Sequence, residues 1–213
     1  MFLAAALSLA QLISSCAVGV NPRTMTALVH VESGGDSLAL HDNTWRTSYK
    51  PPNSATAVAW ARELMGFGHS VDLGLSQINS ANLPSLGLSV EDVFDPCTNL
   101  QAGATILSAD YREAVARFGP GQIALRHALG AYNTGSLYAG QGYVNQILVA
   151  AGLPPEYDTS VASDSGTGSG TSSDSTSAKT KPKKPDAAAA TPKPMYTTER
   201  TAGSPVTVIV GTP

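Results

Sequence analysis

Asp95 and Pro96 open the longest helical pattern in the chain. Asp95 suits an N-cap and Pro96 the first helical position. Cys97, Leu100, Ala104, Leu107, Tyr111, Val115 and Phe118 then recur at three- and four-residue steps until Gly119-Pro120-Gly121 break the run. A helix with such a stripe buries it against neighbours, and the surrounding segments read as those neighbours. Asn21 and Pro22 open a helix with Met25, Leu28, Val29 and Glu32 on one face and Gly34 and Gly35 as its stop. Ser54 is expected to cap a helix through Met65, ended by Gly66 and Gly68. Ser89 opens a short helical turn with Asp92 in the capping-box position. Helices follow from 122 to 129, running into 130–135, and from 143 to 151. Residues 36–53 read as an irregular loop with a small hairpin around 45–49, and 69–79 as extended, then helical near Gln77. The expectation is a mainly α domain with at most a small hairpin.

The core-forming part is expected to end at Tyr157. Beyond it Ser, Thr, Gly, Asp, Lys and Pro dominate, and apolar residues are too scattered to build a core. Two units follow: a domain over 1–157 and a disordered tail over 158–213. The tail ends in the β-prone segment 206–210, suited to adding a strand to a partner's sheet edge. The Ala run at 187–190 suits a processing site. Residues 1–157 hold seven Lys/Arg and eleven Asp/Glu, with Lys50 the one lysine. That balance excludes a nucleic-acid binder, since no basic stripe is present, and favours a neutral or zwitterionic polymer as ligand.

Two alternatives stand at each of two places. Cys16 and Cys97 lie outside any zinc-ligand spacing; they form either one disulfide, in an oxidising compartment, or two buried thiols. The apolar run 2–13 is either a signal-peptide core, although no Lys or Arg precedes it, or the first helix of the fold with Leu3, Leu7, Ala10, Leu12 or Ile13, and Cys16 facing inward.

Glu32 is the residue with chemical promise. It lies on an inward face at a helix C-terminus, where the helix dipole disfavours an anion, and partial burial adds a desolvation penalty of the same sign. Both effects raise a carboxyl pKa, as a general acid working near neutrality requires.

Three short stretches lie in order along the chain: Glu32-Ser33-Gly34, Gly74-Leu75-Ser76-Gln77-Ile78-Asn79 and Ala131-Tyr132-Asn133-Thr134-Gly135. Together they resemble the soluble lytic transglycosylase domain, a lysozyme-like fold of the goose type that cleaves peptidoglycan. Leu9-Ala10-Gln11 ahead of Cys16-Ala17, Asn82-Leu83-Pro84 and Phe94-Asp95-Pro96-Cys97-Thr98-Asn99-Leu100 are similar to its VirB1-like branch, the transglycosylases of type IV secretion systems. The resemblance covers about 3–152.

The resemblance implies that Glu32 alone performs both proton transfers. It also implies that Ser33, Gln77, Ile78, Asn79, Ala131, Tyr132, Asn133 and Tyr143 line the glycan site, with Tyr132 and Asn133 beside the carboxyl. Ordinary glycosidases need a second carboxylate; of the nearby acids Asp36, Asp42 and Asp72, none occupies a motif position. His41 stands where the family often has a small or hydroxyl residue, and Ser76 where methionine is common; His41 is expected to be exposed. No cofactor and no metal is implied. The implied partners are peptidoglycan glycan strands and, through the tail, components of a secretion system. The implied setting is the periplasm or cell envelope, and the implied state a monomer. A lysozyme-type hydrolase and a non-catalytic glycan-binding scaffold are the alternatives.

Overall fold

The structure, a computed structural model, describes residues 7–157. The readings made for Leu3, for the tail, for its 206–210 segment and for the Ala run at 187–190 lie outside the described residues. The described chain runs α1 (Leu9–Cys16), α2 (Pro22–Ser33), β1 (Leu40–Asp42), β2 (Thr47–Tyr49), α3 (Ser54–Gly66), β3 (Val71–Leu73) and β4 (Ile78–Asn79). A single 3-10 turn (Ser80–Asn82) follows, then α4 (Leu83–Leu86), α5 (Val90–Val93), α6 (Pro96–Phe118), α7 (Gln122–Thr134) and α8 (Gln141–Ala150). No helix among the described residues is long and apolar enough to cross a membrane.

Helix α6 is the axis of the molecule. Asp95 caps it, accepting the Thr98 N–H at 2.8 Å. Leu100, Ala104, Leu107 and Tyr111 are buried as their spacing predicts. A second line, Asn99, Ala102, Gly103, Ile106, Asp110 and Ala114, is buried too. The helix is therefore enclosed on most of its circumference. Helix α7 returns along it after the Gly-Pro-Gly break, α1 lies on another side, and α2 packs on α8.

Helix α1 carries Ile13 and Cys16 inward, with Leu9 and Leu12 partly buried beside them. The expected inward places of Leu7 and Ala10 are corrected. Ser8 caps the helix through a capping box with Gln11, so Leu7 precedes it and stays 56% exposed. Ala10 is exposed because the buried stripe runs through 9, 12, 13 and 16. Cys16 and Cys97 are joined by a disulfide that ties α1 to the first turn of α6, Cα to Cα 5.3 Å.

The sheet is larger than the hairpin expected from the sequence. It has four antiparallel strands in the order β2-β1-β3-β4. Leu40 pairs with Tyr49 on one side and Leu73 on the other, and Leu73 pairs with Ile78. Leu40, Leu73 and Ile78 thus share the face that joins the core, each 1% exposed or less. His41, Asp72 and Asn79 form a polar row on the opposite face. Helix α3 packs against β1 and β3. Its cap is Asn53, not Ser54: the Asn53 Oδ1 accepts the Thr56 N–H at 2.9 Å, so Ser54 is already the first helical residue. The short turn opened by Ser89 forms with its capping box to Asp92 intact.

Asp110 is an unusual buried residue of α6. Its side chain is 7% exposed and its Oδ2 has no hydrogen-bond partner among the described residues. Burial, with a smaller contribution from the charge of Glu113, raises its carboxyl pKa to about 7. The unfolded chain ionises near the ordinary value while the fold keeps the proton, so the stability present below about pH 4 is lost as pH rises towards 7. Asp110→Asn removes this titration. Its urea midpoint is expected to hold between pH 4 and pH 8 where the wild type falls, a gain at the upper end of at most about 4 kcal/mol. Parallel pH dependences for the two proteins would refute this account.

Candidate active site

Helix α2 delivers Glu32. Asn21 accepts the Arg23 N–H at 2.9 Å and Pro22 occupies the first turn, as the sequence predicts. Met25, Leu28 and Val29 are buried, at 1% exposure or less, and anchor the helix. Gly34, at φ 66°, ends it by returning its N–H to the His30 carbonyl. Glu32 is left half-buried in the last turn, one residue before Ser33.

Its carboxyl is gripped from α8. The Tyr143 phenol donates to Glu32 Oε1 at 2.6 Å. Burial, then the charge of Glu32, then Tyr132, hold the Tyr143 pKa well above the usual phenol range. The phenol keeps its proton and acts as a donor. Tyr132, also buried, donates its hydroxyl to the Ser76 carbonyl at 2.8 Å. Tyr143, one of the expected site residues, thus donates a hydrogen bond to the acid. The Coulombic influence of both Glu32 and Tyr132 on Tyr143 places all three in one neighbourhood.

The middle stretch is a tight turn joining β3 to β4, and this corrects the helical reading near Gln77. Gln77 donates its N–H to the Gly74 carbonyl at 3.1 Å. Gly74 stands at φ 72° and Gln77 at φ 48°. The left-handed conformation at Gln77 costs a non-glycine residue energy. Its side chain offsets that cost by donating Nε2 to the Gly74 carbonyl at 2.9 Å and the Ala39 carbonyl at 3.2 Å.

Three further side chains clamp the same four residues. Ser33 donates to the Leu75 carbonyl at 2.8 Å. Tyr132 holds the Ser76 carbonyl. Asn99, 1% exposed, accepts the Ser76 N–H at 2.7 Å and donates to the Leu73 and Val93 carbonyls at 2.9 and 2.8 Å. The fit leaves no room. A Cβ on Gly74 would stand 2.3 Å from Asn99 Nδ2, and one on Gly103 would stand 2.6 Å from Ser76 Oγ. Ser76 is small because α6 passes directly behind it. The three stretches, separate in sequence, are thus one hydrogen-bonded unit: Ser33 from the first, the turn from the second, Tyr132 from the third.

Asn99 was missed as a site residue by sequence reasoning. The available signal was a polar residue in line with Gly103, Ile106 and Asp110 at helical spacing, on the side of α6 that the apolar pattern did not mark.

The remaining expected residues fall into two groups. Ile78 is 1% exposed and Ala131 8%, so both are core neighbours of the site. Asn79 is half-buried and spends its amide on Ser70 at 2.9 Å and Asp72 at 2.7 Å, and its Oδ1 on the Ala81 N–H. Asn133 is half-buried beside Tyr132, on the last turn of α7. His41, expected to be exposed, is half-buried on the polar row, with Nδ1 2.9 Å from Ser48 Oγ. The nearby acids have structural occupations. Asp36 accepts the Leu38 N–H, Asp42 is fully buried under the β1–β2 turn, and Asp72 receives Asn79.

With this geometry in hand, comparison with known proteins is decisive for the family. The model of the transglycosylase SLT domain matches residues 12–142, a span that contains Glu32, the Gly74–Gln77 turn and Tyr132 and ends one residue before Tyr143. Protein virB1 of Agrobacterium fabrum is 39% identical over 138 residues, 64% of this chain and 56% of that protein. The virB1 protein of Rhizobium radiobacter is 38% identical over 138 residues, 64% and 57%. The type IV secretion system protein virB1 of Brucella abortus is 35% identical over 148 residues, 66% and 62%. The chain therefore spans less than two thirds of the length of these relatives. No solved structure matches the chain significantly. The half-buried acid, the clamped turn and the family match agree, and the chain belongs to the transglycosylase SLT domain family.

Proposed function

We propose that this chain is a peptidoglycan lytic transglycosylase with Glu32 as its single catalytic acid and base. The observation that carries the reading is the Glu32 carboxyl, half-buried at the end of α2 and held at 2.6 Å by a phenol that does not ionise. Glu32, protonated, gives its proton to the glycosidic oxygen between N-acetylmuramic acid and N-acetylglucosamine, and the bond to the anomeric carbon breaks. The C6 hydroxyl of the same muramoyl residue attacks that carbon and returns its proton to Glu32. The acid is restored, and the product carries a 1,6-anhydro ring in place of an added water. No second protein carboxylate is required, because the substrate supplies the nucleophile. Asn133, half-buried beside Tyr132, lines the path of the sugar.

The setting follows from the substrate. Peptidoglycan lies outside the cytoplasm, where the Cys16–Cys97 disulfide is stable. The relatives that carry the name of a type IV secretion protein support local opening of the wall for a secretion apparatus. The tail at 158–213 is the segment available for contact with its components.

Digestion of purified sacculi by the full chain tests the reading, with products resolved by mass. Anhydro ends, one water lighter than hydrolysed ends, are expected. Hydrolysed ends would establish a lysozyme-type hydrolase instead, and binding without cleavage a scaffold. Tyr143→Phe removes the donor to Glu32 and leaves the ring in place. A hydrogen bond to a charged group contributes about 1.5–3 kcal/mol, so kcat is expected to fall by roughly ten- to a hundredfold. A kcat within about twofold of the wild type would show that the phenol does not position the acid.

A further inference from the structure

We propose that Arg23 is a positioning residue for the catalytic acid: by holding the C-terminal end of α8 against α2, it sets the place of the Tyr143 phenol at Glu32; this rests on the function proposed above. The two helices pack on each other. They run antiparallel, since the start of α8 meets the end of α2 and the end of α8 meets its start. At the first contact Tyr143 donates to Glu32 Oε1 at 2.6 Å. At the second, Arg23 donates Nε at 2.9 Å and Nη2 at 2.5 Å to the Ala151 carbonyl. Only the first pin touches the reacting acid.

The Arg23 pin is built from both sides. Helix α8 ends in a Schellman motif. Gly152, at φ 73°, donates its N–H to the Val149 carbonyl at 2.9 Å, and Leu153 donates to the Leu148 carbonyl at 2.8 Å. This ending fixes the direction of the Ala151 carbonyl, which takes two N–H groups of one guanidinium. A cation at a helix C-terminus also meets the favourable end of the macrodipole. On α2, Pro22 occupies the first turn and Asn21 accepts the backbone N–H of Arg23 at 2.9 Å.

Packing alone leaves this end of the helix pair loosely determined. Thr24, next to Arg23, lines a small cavity with Ile147, Leu148 and Ala151. It is 1% exposed, and its hydroxyl has no hydrogen-bond partner among the described residues. A void offers no atoms to resist a small shift, and Thr24 adds no directional bond. The two pins supply the direction. Arg23 and Glu32 are nine residues apart, about 13 Å along α2, and Tyr143 and Ala151 are eight apart, about 12 Å along α8. Matching spans let both pins close in one register. A slide by one residue moves α8 about 1.5 Å, more than the range of about 0.5 Å over which a hydrogen bond keeps its length. A misplacement of about 1 Å can cost roughly a hundredfold in rate.

Arg23 is exposed, so its removal leaves no buried hole. The full chain is compared on purified sacculi with Arg23→Ala, Arg23→Lys, Tyr143→Phe and the variant carrying both Arg23→Ala and Tyr143→Phe. Arg23→Ala is expected to lower kcat about five- to tenfold and to leave KM within about twofold. Arg23→Lys, which returns one donor to the Ala151 carbonyl, is expected to stay within about threefold of the wild type. The double variant is expected to be no slower than Tyr143→Phe, because Arg23 acts through the phenol; a general loss of stability would add to it. A kcat for Arg23→Ala within about twofold of the wild type, or losses that multiply in the double variant, overturns the proposal. The Tyr143 hydroxyl proton, followed by NMR without substrate, is expected to exchange about fivefold faster or more in Arg23→Ala. Unchanged exchange overturns the proposal whether or not the chain cuts sacculi. Failure of the wild type to cut sacculi is read separately and overturns the enzymatic reading itself.

Discussion

Glu32→Gln is expected to abolish measurable turnover of purified sacculi, with a loss of roughly a hundred- to ten-thousandfold, the range carried by a positioned general acid–base. The substitution keeps the volume of the side chain and an oxygen for the Tyr143 phenol to donate to. It removes the proton that the leaving oxygen needs. Binding is expected to persist, because the turn that Ser33 and Tyr132 hold is untouched. The stability of the fold is expected to change little, since the penalty of a negative charge at a helix C-terminus is removed while the hydrogen bond left to Tyr143 becomes a weaker, neutral one. Product release from sacculi, followed by mass, is the measurement. Turnover within tenfold of the wild type would move the chemistry away from α2.

Asn99→Ala is expected to cost about 5 kcal/mol, a large part of the stability of an ordinary domain. The methyl group leaves the Ser76 N–H and the Leu73 and Val93 carbonyls without their partner, inside a region where all three residues are buried. Each orphaned group costs about 1–3 kcal/mol. Asn99→Asp is no rescue. It keeps the acceptor for Ser76 and sets a carboxylate against two carbonyl oxygens. The urea midpoint should fall without a change in slope. A loss below about 1 kcal/mol would mean that the Gly74–Gln77 turn is held from the Ser33 and Tyr132 side alone.

Why Asn99 escaped notice is a matter of physics. The apolar period along 97–118 marks the stripe that meets the apolar core. It is silent about the opposite stripe, where α6 meets backbone. There Asn99 satisfies peptide groups, and Gly103 makes room for Ser76. Such contacts need small or polar residues, and these read as solvent-facing until the partner is in place. The same blindness applies to Gln77. In isolation its stretch passes for the start of a helix, because the left-handed turn is imposed by the carbonyls of Gly74 and Ala39 and by the clamp behind them.

What the amino-acid order settled alone was local. Asn21-Pro22, Ser89 with Asp92 and Asp95-Pro96 start helices because their side chains satisfy N–H groups within a few residues. Gly34 stops one helix at the residue that leaves Glu32 in its final turn. Those interactions need no distant partner, so they are legible in one dimension. Tertiary structure decided everything that joins segments far apart in the chain: the closure of the Cys16–Cys97 bridge, the growth of a hairpin into four strands, and the hydrogen bond that Tyr143 donates to the acid. That hydrogen bond depends on how α8 packs on α2, a relation between surfaces that no spacing along the chain encodes.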